Sequence, residues 1–130
     1  MIPPRLLCLS LAVGLVGCES LSPSATGQWS GSCSRAAQST YDEPIEVWFE
    51  LDIVEEDGGI LLGDGVFTYD NTDFEGKVRG LRDERSFELE LEGSSEAHST
   101  RLEIKGELVD NRVKGACSLY GVTGELAMSR

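Results

Sequence analysis

The sequence predicts an all-β protein, an antiparallel eight-stranded meander that closes into a small up-and-down barrel. Apolar and polar residues alternate with a period of two through most of the chain after residue 26, and no stretch has a helical period. Such alternation is typical of antiparallel strands with one face in a core and the other in water. Short turn sequences separate the alternating segments, and closure of the sheet removes its exposed edges.

The strands follow one another along the chain with short connections. The clearest alternation places Ile45, Val47 and Phe49 inward. Glycines recur at inward positions, which often marks the corners of barrels. The predicted strands lie near 27–34, 43–55, 61–69, 74–82, 86–92, 100–109, 112–119 and 124–129, with inward glycines at Gly63, Gly65, Gly76, Gly80, Gly106 and Gly115.

The connection at residues 57–59 (Asp-Gly-Gly) allows two registers. A two-residue turn would point Asp64 inward, whereas a three-residue loop sets Ile53 opposite Gly63 and leaves Asp64 outward. Burial of an unpaired carboxylate is expensive. We therefore expect the three-residue loop.

The remaining turns are chosen so that inward residues meet apolar or small residues on the same face. A two-residue turn at 110–111 sets Leu108 opposite Val113. Similar reasoning predicts turns at 83–84 and 121–122 and a four-residue loop at 70–73. The resulting pairs include Gly80 with Phe87, Phe67 with Gly76, Tyr69 with Phe74, and Cys117 with Leu126.

The N-terminal segment carries an apolar run behind Arg5 that is too short to span a bilayer and ends at Leu15-Val16-Gly17-Cys18. This quartet resembles the lipobox of bacterial lipoproteins. In that family the cysteine receives a diacylglycerol, the leader is removed and the new N-terminus is acylated. The resemblance implies a signal peptide at 1–17, lipidation at Cys18, a tether over 18–26 and a barrel domain over 27–130.

The same resemblance implies a location in the bacterial cell envelope. An aspartate after the lipidated cysteine often favours retention in the inner membrane, so Glu19 favours the outer membrane. The alternative for residues 6–16 is a buried apolar strand followed by an incidental cysteine.

Composition limits the partners of the domain. Removal of residues 1–17 takes away Arg5 and no carboxylate, which leaves 10 basic and 23 acidic side chains and a formal charge of −13. This charge disfavours nucleic acid as a partner and suits a basic protein, or simply solubility.

Cys33 and Cys117 are the two cysteines left after the leader and the lipid site are set aside, and in an oxidising compartment they are expected to form a disulfide. This bridge conflicts with a simple meander, because the eighth strand separates the first from the seventh. Strands two apart stand about 9–10 Å from one another, farther than bridged Cα atoms. Either the end of the first strand leaves the sheet and crosses the barrel mouth, or the first strand pairs beside the seventh.

The first strand opens with Thr26-Gly27-Gln28-Trp29, which resembles the Gly-x-Trp opening of lipocalins and avidin-like proteins. In that superfamily the tryptophan plugs the closed end of an eight-stranded barrel, and the open end often holds a small ligand. The resemblance implies that Trp29 is a barrel plug.

Trp48 falls on the outward face of its strand, between Glu46 and Glu50. An outward tryptophan is a candidate anchor for a binding partner. The alternative is that the loop 35–42 covers it.

No catalytic constellation or cofactor motif is recognisable. His98 lies in a polar stretch without a nucleophile motif, so we expect an exposed loop histidine. The carboxylates at 55–57 and at 70–75 lack the spacing of a calcium loop, and no zinc-binding spacing is present. We expect no enzyme activity, metal or cofactor.

Two functional hypotheses remain. The first is a lipid-anchored binding module for a small ligand or a partner. The second is an interaction protein with a filled barrel, for example an acidic inhibitor of a basic enzyme. A cavity of several hundred Å³ inside the barrel would favour the first.

Overall fold

The computed structural model describes residues 24–36, 44–96 and 98–130. They form antiparallel strands in which each strand pairs with its sequence neighbours, and β1 also pairs with β8, so that the sheet closes. The eight-stranded antiparallel barrel is therefore confirmed. The strands are β1 Gly27–Arg35, β2 Ile45–Glu56, β3 Ile60–Tyr69, β4 Thr72–Asp83, β5 Ser86–Ser94, β6 Ser99–Val109, β7 Arg112–Leu119 and β8 Val122–Ser129, with a 3-10 turn at Asp57–Gly59.

The barrel forms because the alternating side chains share one interior. In β2 the burial alternates strictly from Ile45 to Val54. Phe67 of β3 stacks on Phe74 of β4 with ring centroids 4.9 Å apart. Side chains from every strand fill the interior, and the largest fully buried ones are Trp29, Phe67, Phe87, Ile53, Leu61, Leu91, Leu102, Ile104 and Leu119.

The structure has the predicted registers at two connections. Ile53 faces Gly63 across the turn Asp57–Gly59, and Asp64 is exposed. A Cβ at Gly63 would lie 1.8 Å from the Asp52 carbonyl oxygen, so the close approach of β2 and β3 requires glycine there. Leu108 faces Val113 across the turn at 110–111, as expected.

Three predicted registers are wrong, each displaced by two residues. The observed connections are two-residue turns whose first residue has a positive φ, at Asp70, Glu84 and Tyr120. A displacement by two keeps every inward side chain inward, so the alternation alone does not distinguish the registers. The observed pairs are Phe67 with Phe74 instead of Gly76, Tyr69 with Thr72 instead of Phe74, Phe87 with Arg82 instead of Gly80, and Cys117 with Gly124 instead of Leu126.

The disulfide Cys33–Cys117 is present together with the meander, with its Cα atoms 5.9 Å apart. The sequence suggested that the disulfide requires either the end of the first strand to leave the sheet or the first strand to pair beside the seventh, and both predictions are wrong. Cys33 stays in β1, paired with Leu126, and β1 lies beside β8 rather than β7. The wall of the narrow barrel curves enough for inward residues two strands apart to approach.

The barrel has two chemically different ends. The Trp29 end carries residues 24–26, the turn Asp57–Gly59, the turns at 84–85 and 110–111, and Arg130. The opposite end, which we call the disulfide end, carries the β1–β2 and β5–β6 connections and the turns at 70–71 and 120–121.

Candidate functional site

Trp48 stands on the outer wall of β2 near the disulfide end, and 59% of it is exposed. Its indole Nε1 donates to Glu46 Oε1 at 2.9 Å. Its neighbours across the sheet are the small residues Ser32 of β1 and Thr68 of β3. These side chains are too short to cover the ring. The loop proposed as a cover lies largely outside the described residues.

Carboxylates surround Trp48 on the outer wall. Glu50 has Ser30 and Val66 as cross-strand neighbours, and Asp52 has Gln28 and Asp64. Because these neighbours are neutral or acidic, the charges are not compensated across the sheet. We call this surface the acidic face; it consists of Glu46, Trp48, Glu50, Asp52, Asp64, Val66, Asp73 and Glu75.

The acidic face is concave where β2, β3 and β4 curve together. A groove of about 860 Å³ is lined there by four carboxylates and one lysine, namely Glu50, Asp52, Asp64, Glu75 and Lys77. Lys77 Nζ lies 2.7 Å from Asp64 Oδ1, but both side chains are exposed and such a pair contributes little stability. The groove therefore offers an open, negatively charged surface.

The neighbouring wall of β5 and β6 has a different charge arrangement. Its glutamates Glu88, Glu90 and Glu92 face Lys105, Arg79 and Arg101 respectively. Arg101 lies 3.4 Å from Glu92 and 3.7 Å from Glu90, and Lys105 lies 3.6 Å from Glu88. Each of these three glutamates thus has a basic cross-strand neighbour, which Glu50 and Asp52 of the acidic face lack.

Trp29 is buried near the other end of the barrel, at the start of β1. Its ring is 1% exposed and its Nε1 donates to the Ala25 carbonyl oxygen at 2.8 Å. The Arg130 guanidinium lies over the ring, 4.8 Å from its centroid. Arg130 also donates to the Ser24 and Thr26 carbonyl oxygens and, at 3.0 Å, to Asn111 Oδ1. These contacts hold residues 24–26 against the Trp29 end.

Glu55 fixes the same segment from the side of β2. Its carboxylate accepts hydrogen bonds from Arg82 Nε and Nη2, at 2.7 and 2.8 Å, and from the Ala25 amide at 2.8 Å. Burial raises the pKa of Glu55, but the hydrogen bonds of Arg82 and Ala25 and the charges of Arg82 and Arg130 outweigh this effect. The pKa therefore lies below its ordinary value of 4.5.

The expected loop histidine and carboxylate runs lie as follows. His98 is exposed in the β5–β6 connection, where its main chain exchanges hydrogen bonds with Ser95. Glu55 is half-buried against Arg82, while Glu56 and Asp57 are exposed. Within the described residues no group of three or more histidine, cysteine, aspartate or glutamate side chains is arranged to hold a metal ion.

Sequence reasoning did not identify the ion pair of Glu55 with Arg82 or the position of Arg130. These contacts join residues 19 or more positions apart, and no local pattern marks them. It also missed an outward cluster of Val54, Leu62 and their neighbours. A signal for the cluster was available, because the three-residue loop at 57–59 places both residues on the outer face.

Cys18 lies outside the described residues. In the part of the chain that is described, no helix is long and apolar enough to cross a membrane. No protein-family model, curated protein or solved structure matches the chain.

Proposed function

We propose that this protein is a lipid-anchored lipoprotein of the bacterial cell envelope, in the outer membrane, whose barrel binds a basic partner protein without catalysis. The observation that carries the binding role is Trp48, more than half exposed on the same outer face as Glu50 and Asp52, which have no basic cross-strand neighbour. The lipobox resemblance at Cys18 supports the anchor.

The chemistry of the acidic face suits a cationic protein surface. Tryptophan is enriched among the residues that carry most of the binding energy at interfaces. The surrounding carboxylates attract arginine and lysine and steer their approach. The small residues Ser32 and Thr68 leave the indole accessible to a partner. An inhibitor of a basic enzyme is one form that such binding takes.

The packed interior favours this role over storage of a small ligand. Phe67, Phe87 and Leu91 are among the fully buried side chains that occupy the barrel. The groove lined by Glu50 and Asp52 opens onto the outer wall instead. Binding on the outside therefore agrees better with the architecture than binding within it.

The test is capture from the native envelope by the mature protein extracted in detergent. Trp48→Ala removes the proposed anchor, and Tyr120→Ala is the matched control, because Tyr120 is 60% exposed but lies outside the acidic face. We expect a basic protein to be retained by the wild type and by Tyr120→Ala and lost with Trp48→Ala. Equal retention by all three proteins would overturn the proposed binding site.

A further inference from the structure

A second exposed cluster on the outer wall is apolar. Val54, Ile60, Leu62 and Leu81 are between 40% and 58% exposed. Val54 faces Leu62 across β2 and β3, and Ile60 faces Leu81 across β3 and β4. The four side chains therefore form one contiguous surface, which we call the apolar strip.

The apolar strip lies at the Trp29 end, where the chain enters the barrel. Val54 of the strip directly precedes Glu55. The Glu55 carboxylate accepts a hydrogen bond from the Ala25 amide, and the Glu55 amide donates one to Thr26 Oγ1 at 2.9 Å. Arg130 holds the Ser24 and Thr26 carbonyls at the same place. Glu55 and Arg130 together thus hold the segment 24–26 at the end of the barrel on which the strip lies.

Chain length limits how far this end can lie from a lipid anchor. Cys18 is six residues before Ser24. A fully extended chain of that length spans at most about 20 Å. An acyl group at Cys18 therefore keeps the Trp29 end, and the apolar strip on it, close to the bilayer surface.

We infer that the apolar strip contacts the lipid bilayer and orients the anchored barrel, with the Trp29 end toward the membrane. This inference rests on the anchor of the proposed function. Trp48 lies six residues from Val54, about 20 Å along β2 in the direction of the disulfide end. The orientation therefore presents Trp48 and the disulfide end to partners away from the lipid.

The size of the strip favours a bilayer over a second copy of the chain. Four half-exposed aliphatic side chains present on the order of a few hundred Å², within the range of patches on monomers. A stable interface needs about 800 Å² from each partner. A tether removes this requirement, because it holds the strip at high effective concentration beside the membrane.

The charged neighbours limit the contact to a shallow one. Glu56 faces Ile60, and Glu88 faces Leu81, so carboxylates border the strip. Arg79 faces Leu62 on one side and Glu90 on the other, so a cation also borders the strip. The aliphatic side chains therefore reach the headgroup–acyl boundary while the carboxylates remain in water.

The test uses lipidated mature protein in phosphatidylcholine vesicles, with or without bromine on the acyl chains. In a Trp48→Phe background, Leu81→Trp places a fluorescent reporter in the strip. Leu62→Trp is a second reporter there, and Tyr120→Trp is the matched reporter at the other end. The parent Trp48→Phe protein gives the contribution of buried Trp29. We expect brominated lipid to cause a loss of fluorescence at positions 81 and 62 and none at position 120.

Vesicle flotation separates the two proposals. A protein that fails to float with the vesicles lacks the anchor, which contradicts both the proposed function and this inference. A protein that floats without quenching at either strip position contradicts the orientation alone. Equal quenching at positions 81 and 120 also contradicts it. Chemical cross-linking of the same vesicles is the check for a second copy of the chain, and a dimer joined through the strip would likewise contradict the orientation.

Discussion

Cys33 and Cys117 are bonded across a strand that lies between them. Cys33 in β1 pairs with Leu126 and Cys117 in β7 pairs with Gly124, both in β8. A Cβ at Gly124 would lie 2.8 Å from the Ser34 carbonyl oxygen and 3.4 Å from Cys33 Sγ. The glycine therefore leaves room for the bridge to pass along the inner side of β8, and one covalent bond links three strands at the point of closure.

Loss of this bridge is expected to destabilise the fold. The cysteines are 84 residues apart in sequence, so the bond restricts a long loop in the unfolded chain. The double variant Cys33→Ala/Cys117→Ala should lose about 2–4 kcal/mol of unfolding free energy. Urea denaturation measures the loss, and reduction of the wild type should reproduce it. Identical midpoints for the oxidised protein and the double variant would contradict this role.

Removal of the Arg130 side chain is expected to destabilise the Trp29 end of the barrel. Arg130→Ala removes the cation over Trp29 and the hydrogen bonds to Ser24, Thr26 and Asn111, which should lower stability by about 1–3 kcal/mol. Arg101→Ala is the control, since the Arg101 side chain is more than half exposed in its ion pairs with Glu90 and Glu92 and its loss should cost less than about 0.5 kcal/mol. Thermal unfolding distinguishes them, and equal small losses would show that Arg130 does not hold this end.

Glu55 predicts a pH dependence of stability. Its pKa is lower in the folded protein than in the unfolded chain, so its contribution is complete above the unfolded value of 4.5 and is lost as the pH falls through the folded pKa. Glu55→Gln should cost about 1–3 kcal/mol above pH 4.5, because Arg82 loses a charged acceptor. The difference from wild type should shrink below pH 4.5.

Denaturant titrations of both proteins at several pH values measure this difference. Asp64→Asn is the control, because its ion pair with Lys77 is exposed and should contribute little at any pH. A difference between wild type and Glu55→Gln that stays constant from neutral pH to well below pH 4.5 would contradict the assigned role of the ion pair.

The sequence was sufficient for the fold because the alternation is strong. Ile45 to Val54 specifies which face of β2 is buried, and the cost of burying Asp64 selects the loop at 57–59. The remaining registers depend on turns in which Glu84 and Tyr120 adopt positive φ. Such residues seldom adopt that conformation, so the sequence carries little sign of it.

The candidate site was predictable only in part. The outward position of Trp48 follows from its place between Val47 and Phe49. The contrast between the acidic face and the compensated wall at Arg101 depends on which strands are neighbours and in what register. The disulfide crosses β8 because the barrel curves around Gly124. The spacing expected from the sequence assumed a flat sheet and therefore omitted this curvature.

Salt should weaken binding to the proposed partner, because the carboxylates of the acidic face attract it electrostatically. Glu50→Lys should lower the affinity by about tenfold, on the order of 1.4 kcal/mol, and reduce the salt dependence. Glu103→Lys makes the same charge change on β6, outside the acidic face, and should have a smaller effect. Affinities measured at low and high salt test this. Equal effects of the two substitutions would assign the attraction to net charge alone.

The most direct test of an envelope-anchored role is the intact mass of the mature protein extracted from bacterial membranes. We predict a chain that begins at Cys18 and carries a diacylglyceryl group on its thiol and an acyl group on its amine. Cys18→Ala should yield protein that lacks both groups and is soluble or unprocessed. An unmodified Cys18 in membrane-associated mature protein would contradict the account.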